Sequence, residues 1–516
     1  MVTRRVAAAG VVLLIAGCTV GPDYEQPSPW SPASWFRSTP SATKPPSLAS
    51  LPVAEPIDPE WWNVFGDPVL TGLMRRVAAS NLDVRAASFR LAEARAQSGI
   101  AGAAQFPTLN GNGSYTRERL SEKGVTGLLG ASGSASSAAT SSNGLGGRQG
   151  SSPSSSAGGK LAPFDLFQGG FDASWELDLW GRVRRSVESA DANVDASVEA
   201  RRQTLATSLA ELARDYVQLR GAQEQLRIAR RNLQSAQESA RLSTERAKGG
   251  LATDLDVANA RAQVEATAAT MPQLEQREQQ GVNAIALLLG APPGSLTTEL
   301  MPGTPIPPVP PRVPVGIPSE LVRRRPDIRQ SEAQLHAATA DIGQAEADFF
   351  PKITLSGSFA LQAVQFKDLG NWASRTYGLG PSISIPIFEG GRLRRTLELR
   401  KAQQQEAAIN YQRTVLAAFH DVDNALIAYR SEQQRRDRLL AQVQQARRAL
   451  NLSQQRFRDG VSDFLEVLTA QRTALAAEQQ LADSTTTVAT NLVTLYKALG
   501  GGWETTYATE PAPAAR

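Results

Sequence analysis

Apolar and polar residues alternate with a period of two in several short stretches, and long runs with a seven-residue period flank them. Between 171 and 179 the odd positions Phe171, Ala173, Trp175, Leu177 and Leu179 are apolar, while Asp172, Ser174, Glu176 and Asp178 fill the even ones. Ile353, Leu355, Phe359 and Leu361 alternate with Thr354, Ser356, Ser358 and Gln362, and Ile383, Ile385 and Ile387 with Ser382 and Ser384. Alternation of this kind predicts β-strands with one apolar face, at about 170–179, 351–362 and 379–388, and a strand-like stretch at about 107–116 follows Phe106-Pro107. At about nine to eleven residues each, they have the length a tilted strand needs to cross a bilayer. A water-facing sheet in a soluble domain is the alternative that alternation alone leaves open.

The helical signal is longer. From 182 to 249 there is no proline, and Leu205, Leu212, Leu219, Leu226 and Leu233 recur every seven residues, with Val198 before and Ala240 after. That seam predicts a coiled-coil helix about 100 Å long. Val415, Val422, Tyr429, Val443 and Leu450 keep the same phase further on, and only Arg436 breaks it. Shorter helices are predicted at about 253–289 and 463–499, each stopped by a glycine, Gly290 or Gly500. Another runs from about 68 to 105, where Phe106-Pro107 ends it.

These elements form a repeat. Asp83 and Pro107 recur as Asp327 and Pro351, an offset of 244 residues (327 − 83). Gly181-Arg182-Val183-Arg184-Arg185 recurs as Gly391-Arg392-Leu393-Arg394-Arg395, and the stretch 246–260 as 456–470, both offset by 210 (391 − 181). The difference of 34 (244 − 210) measures extra chain in the first copy, where the Ser/Gly-rich stretch 120–160 lies. That composition cannot bury a core and predicts a loop. The expected organisation is a first repeat at 61–290, a linker at 291–318 stiffened by ten prolines, a second repeat at 319–502 and a tail at 503–516.

The N-terminus adds a compartment. Arg4 and Arg5 precede an apolar run of about ten residues that ends at Ala16-Gly17-Cys18, the only cysteine. Residues 1–17 are too short to span a bilayer and fit a signal peptide. An ordinary signal peptide with an incidental cysteine is one reading. The sharper one is a bacterial lipoprotein site, with a diacylglyceryl group and an N-acyl chain on Cys18 and Thr19 favouring the outer membrane. Residues 18–60 then form a lipidated arm rich in Pro, Ser and Trp.

With 54 basic and 50 acidic residues and no basic aromatic run, nucleic acid is not an expected partner. The two histidines, His336 and His420, lie in separate helical patterns, and no phosphate loop, metal-ligand cluster or nucleophile elbow occurs. The chain is not expected to be an enzyme, and no cofactor beyond the lipid is expected. Its predicted fold class is mainly α with a membrane β-barrel, built from two helix–hairpin–helix–helix units. Four membrane strands cannot close a barrel, so their edges must pair with other chains. Three copies supply twelve strands, and the long helices continue the pore as a coiled-coil barrel.

The lipobox followed by Val20-Gly21-Pro22-Asp23-Tyr24, the Trp61-Trp62…Phe65-Gly66-Asp67-Pro68 motif and both repeats resemble the TolC-like outer membrane efflux proteins, and more closely their NodT-type lipoprotein branch. The likeness covers essentially the whole mature chain. It implies a homotrimeric duct anchored in outer membrane lipid, crossing the periplasm to a closed iris. It also implies a periplasmic adaptor and an inner-membrane pump, usually of the resistance-nodulation-division type, that pass drugs or other small solutes to the duct. The family's iris residues follow the glycine between the long and short helices, here Gly250 and Gly460, so they match Asp256 and Glu466, with Asp254, Arg458 and Asp459 nearby.

A family tyrosine and arginine that hold the lock are replaced here by Phe457 and Ser462, and a second acidic ring position is Thr469. That lock does not carry over. Arg456, Arg458 and Asp459 are candidates for a substitute by proximity. Three carboxylates on an axis would attract cations and raise one another's pKa. The acidic strand face Asp172, Glu176 and Asp178 would add cation preference to a lumen. Against these roles, Asp254, Asp256 and Glu466 also read as ordinary first-turn helix acids favoured by the dipole. A duct for type I protein secretion and a lipid-anchored coiled-coil stalk remain as alternatives.

Overall fold

A computed structural model describes residues 19–28, 31–32, 35, 50–119 and 163–507. Cys18, the leader before it and the Ser/Gly-rich stretch 120–160 lie outside the described residues. In chain order the elements are β1 (Leu51–Val53), α1 (Pro68–Ser80), α2 (Leu82–Ala103), β2 (Thr108–Glu118), β3 (Phe164–Leu177), α3 (Arg182–Lys248), α4 (Asp254–Ala268) and α5 (Met271–Leu288). After the proline-rich linker come β4 (Arg312–Pro314), α6 (Pro318–Arg324), α7 (Pro326–Ala347), β5 (Lys352–Ala363), β6 (Arg375–Ser384), α8 (Arg392–Arg458) and α9 (Phe464–Ala498). Short helical turns punctuate the connections. No helix among the described residues is long and apolar enough to cross a membrane.

The chain forms two compact units. The first holds a four-stranded antiparallel sheet in the order β2-β3-β5-β6. Its register sorts the side chains by polarity across all four strands. Asn110, Asp172 and Ser358 align on one face, with Thr108, Ser174 and Ser356 in the next row and Glu176, Thr354 and Ser382 beyond. The other face carries rows of Leu109, Ala173 and Leu379, of Phe171, Phe359 and Tyr377, and of Leu177, Ile353 and Ile383. That apolar face is open: Leu109, Phe171, Tyr377, Leu379 and Ile383 are all exposed.

The strand bounds differ from the alternation pattern. β3 begins at Phe164 because 164–170 pair with 112–118, and β6 ends at Ser384, opposite Lys352, where Pro351 has already ended its partner. In the same unit the chain at 20–21 is fixed by Gly21. Its φ is +98°, and a Cβ there would stand 2.4 Å from the Cα of Gly343. The Val20 N–H donates to the Trp180 carbonyl at 3.1 Å. The Val-Gly-Pro-Asp-Tyr motif therefore has a packing reason.

The second unit is helical and holds the main core. Leu205, Leu212 and Leu219 of the α3 seam are buried there with Val415, Val422 and Tyr429 of α8, so the heptad positions pack as the period predicts. Trp61 stacks on Tyr496 with ring centroids 5.2 Å apart. The helical pattern at 68–105 is divided at Asn81, whose side chain accepts from the Val84 N–H at 3.0 Å and donates to the Leu288 carbonyl at 2.8 Å. The pattern at 253–289 is divided too. Pro272 lacks the N–H that would reach the Ala268 carbonyl, so α4 ends there and α5 restarts. The matching stretch of the second repeat is the unbroken α9.

Asp67 joins two elements of this core. Its carboxylate accepts from the Val69 and Leu70 N–H groups at 2.9 and 3.2 Å, capping α1, and from the Tyr216 hydroxyl at 2.6 Å. Replacing Asp67 by Ala removes the cap and leaves the Tyr216 O–H without its acceptor, although its oxygen still accepts from Arg220 at 3.1 Å. We expect a loss of about 2 kcal/mol, measurable as a lower denaturation midpoint, with Asp67→Asn losing less.

Candidate functional site

Two places carry the polar residues singled out in the sequence. In the sheet unit, Asp172 and Glu176 lie on β3, while Asp178 follows its end, and the three have different partners. Asp172 is exposed and accepts from the Asn112 amide. Glu176 accepts from Arg182 Nε and Nη2 at 2.8 and 2.7 Å and from Lys352 Nζ at 2.8 Å. Asp178 accepts from the Arg184 N–H at 2.8 Å. Cationic partners thus compensate Glu176, and the Asp178 carboxylate accepts at the start of α3, which leaves Asp172 as the most exposed of the three acids.

The second place is the turn between each long helix and its shorter successor. Both turns are built alike. The Leu251 N–H reaches back to the Arg246 carbonyl at 2.8 Å, and the Val461 N–H to the Arg456 carbonyl at 2.9 Å. Gly250 and Gly460 between them have φ of +70° and +77°. This is the six-to-one helix stop, which needs a left-handed residue and so selects glycine. Below the turns a small apolar cluster of Ala260, Phe457, Phe464, Val467 and Leu468 holds the segments together.

The charged residues around these turns divide into three groups. Asp256 forms a capping box with Thr253, accepting from the Thr253 N–H at 2.9 Å and hydroxyl at 2.8 Å. Within one chain its carboxylate is a helix cap. Glu466 is exposed and stands 3.6 Å from Arg456, an ion pair inside the second repeat. Asp254, Arg458 and Asp459 are exposed. Arg456 is thus engaged with Glu466, while the structure places Arg458 and Asp459 on the surface.

A polar link between the two repeats at these turns comes from Arg246, which sequence reasoning did not single out. Its guanidinium lies 4.6 Å from the centre of the Phe457 ring and donates to the Phe457 carbonyl. It therefore sits on the negative end of the α8 dipole and on an aromatic face at once. Arg246 and Arg456 are repeat mates, 210 residues apart. One crosses between repeats and the other stays within its own. The only signal in the sequence is the pairing of the two arginines, and it does not say which aromatic ring either would find.

Comparison with known proteins fits this geometry. The family model described as "Outer membrane efflux protein" matches residues 73–291 and 317–501. The chain belongs to the outer membrane efflux protein family. Its two matched segments are the two repeats. Relatives of this efflux protein include the pyoverdine export outer membrane protein OpmQ of Pseudomonas aeruginosa, 34% identical over 446 residues, covering 86% of this chain and 88% of OpmQ. The probable outer membrane lipoprotein SilC of Salmonella typhimurium is 30% identical, covering 98% of this chain and all of SilC. Among solved structures, the outer-membrane channel OprN superposes with a TM-score of 0.81 at 34% identity, covering 94% of this chain and 100% of OprN. The family is one of transport conduits and not of enzymes, and its members are outer membrane proteins.

Removing the Arg246 side chain should free the end of α8 from the first repeat. Arg246→Ala is expected to raise amide exchange at 457–460 about tenfold, read by mass spectrometry. Arg456→Ala breaks an exposed pair and should change exchange there far less.

Proposed function

We propose that this protein is the outer membrane exit duct of a tripartite efflux system, working as a homotrimer. The observation that carries this reading is the sheet. Its apolar face is exposed, its opposite face is polar, and β2 and β6 lie at the two ends of the strand order. Three copies joined edge to edge make a twelve-stranded barrel with a lipid-facing exterior and a hydrated lumen. The helical unit supplies the periplasmic coiled-coil duct, with the two glycine turns at its tips forming the iris. Cys18 carries the lipid that holds the arm at the outer membrane. Radiolabelled palmitate should enter the full chain and be absent from Cys18→Ser.

A periplasmic adaptor and an inner-membrane pump complete the path, and the tip surface supports the adaptor. Leu251 and Leu255 of the first repeat are 71% and 68% exposed, and their repeat mates Val461 and Leu465 are 67% and 62% exposed. Exposed aliphatics at equivalent positions of both repeats offer a trimer six like docking points for a partner's apolar tip. The family name and OpmQ, named for pyoverdine export, support small solutes as the exported class.

In a trimer the Asp256 and Glu466 carboxylates form the constriction. Asp256→Asn retains an oxygen that can cap α4, so the change isolates charge from helix capping. The Asp256→Asn, Glu466→Gln double variant should conduct severalfold more than the parent in planar bilayers and select cations less. Unchanged conductance and selectivity would refute the iris assignment. A second experiment addresses the adaptor. Leu251→Ser with Val461→Ser should abolish efflux-dependent resistance while leaving bilayer conductance intact, and full resistance in that variant would exclude this docking surface.

A further inference from the structure

Glu478 lies on α9, fourteen residues from its first residue, Phe464 (478 − 464). Its side chain is 8% exposed. One carboxylate oxygen accepts from Arg231 of α3 at 2.7 Å and from Asn232 at 3.3 Å, and the other accepts from Arg447 Nε of α8 at 2.6 Å. A single buried acid thus ties the short helix of the second repeat to both long helices. Burial alone would push its carboxyl up, but the Arg447 and Arg231 guanidiniums outweigh that and hold it below the ordinary glutamate value.

The first repeat has no such tie. The mates of Glu478, Arg447 and Arg231, at a distance of 210, are Ala268, Gln237 and Ala441. Where Glu478 pins α9, the first repeat instead ends α4 at Ala268 and restarts at Met271. Packing also changes character at this level. One small apolar cluster, Val443, Ala446, Ala474 and Ala477, lies beside Glu478 itself, and towards the turns there is another of Ala260, Phe457, Phe464, Val467 and Leu468. Polar contacts are interleaved with them, Gln471 to Ser239 at 2.7 Å and Arg472 to Gln263 at 2.8 Å. In the other direction α9 enters the main core through Val488, Ala489, Leu492 and Val493. A lightly packed end joined to a heavily packed one opens locally before it unfolds globally.

We propose that Glu478 is the fulcrum of the helical unit: it fixes the point up to which α8 and α9 can part from α3 and beyond which they stay closed. It acts as a positioning residue, setting the length of the movable tip without touching what passes. Its consequence for gating rests on the duct reading. Its mechanical effect does not.

The test is hydrogen exchange on the purified full chain, with conductance measured in parallel. Glu478→Gln keeps the size of the side chain and removes the charge that both guanidiniums bind. Amide protection at 235–247, 450–458 and 464–475 should fall about tenfold, with 205–219 and 488–496 unchanged. The open fraction in planar bilayers should rise severalfold with Asp256 and Glu466 intact. Arg447→Gln, which releases only the α8 arm, should raise exchange at 450–458 and leave 235–247 protected.

Unchanged protection at the tip, or an equal loss at 205–219, would overturn the proposal. Lost tip protection with an unchanged open fraction would uphold the fulcrum and overturn its consequence for gating. If the parent chain never conducts, the duct reading fails, and the exchange pattern alone still decides whether Glu478 is the fulcrum.

Discussion

Backbone N–H and C=O groups at a sheet edge cannot be left unpaired in hydrocarbon, and that constraint governs the rest of this protein. The four-stranded sheet has two ends, β2 and β6, and an apolar face whose residues are exposed in the single chain. A soluble sheet would cover such a face or blunt its edges with charge and bulges. Here the edges continue as regular strands, with Tyr115 and Tyr377 among the side chains exposed on them. The economical way to satisfy both strands is to pair them with copies of the same chain. In the proposed duct, trimerisation is then a condition of the sheet's stability in a membrane as well as a means of building a pore.

The duplicated sequence serves that geometry, but the copies have been put to different uses. Their glycine turns are the same device, the same left-handed residue with the same six-to-one hydrogen bond. Their charged residues are not. Arg246 reaches across to Phe457, whereas Arg456 holds Glu466 in its own repeat. Asp256 caps α4, and Glu478 pins α9 where the first repeat has a proline-induced break. In the proposed trimer, near-equivalence suits six like walls around one axis, and the differences set which contacts would have to yield for the tips to move apart.

Much of this was legible in the sequence because it rests on periodicity. The period-two runs located three of the four strands, and the buried Leu205, Leu212 and Leu219 lie on the seam that the heptads marked. Glycine and proline stops marked the turns. Strand ends were less legible, since they depend on the partner: β6 stops where Pro351 ends β5, a fact of register that β6 itself does not carry. The break at Pro272 was present in the residues, but the repeat's regularity argued for one helix. The site was harder still. Acids placed by family position proved in one chain to be a cap at Asp256 and an ion pair at Glu466, while Arg246 and Glu478 owe their roles to partners about 211 and 247 residues away. No local pattern encodes such pairings.

The central claim is that the sheet's two ends close on neighbouring copies, and disulfide trapping across that seam tests it most directly. The chain's only cysteine is Cys18, blocked by lipid in the proposed duct, so paired cysteines placed on the same face of β2 and β6, at Tyr115 and at Tyr377 or its alternate neighbours Arg375 and Leu379, have no competing thiol. Oxidation in outer membranes should yield a ladder of one, two and three linked chains that stops at three. A ladder that continues past three, or chains that never link at any register, would contradict the account.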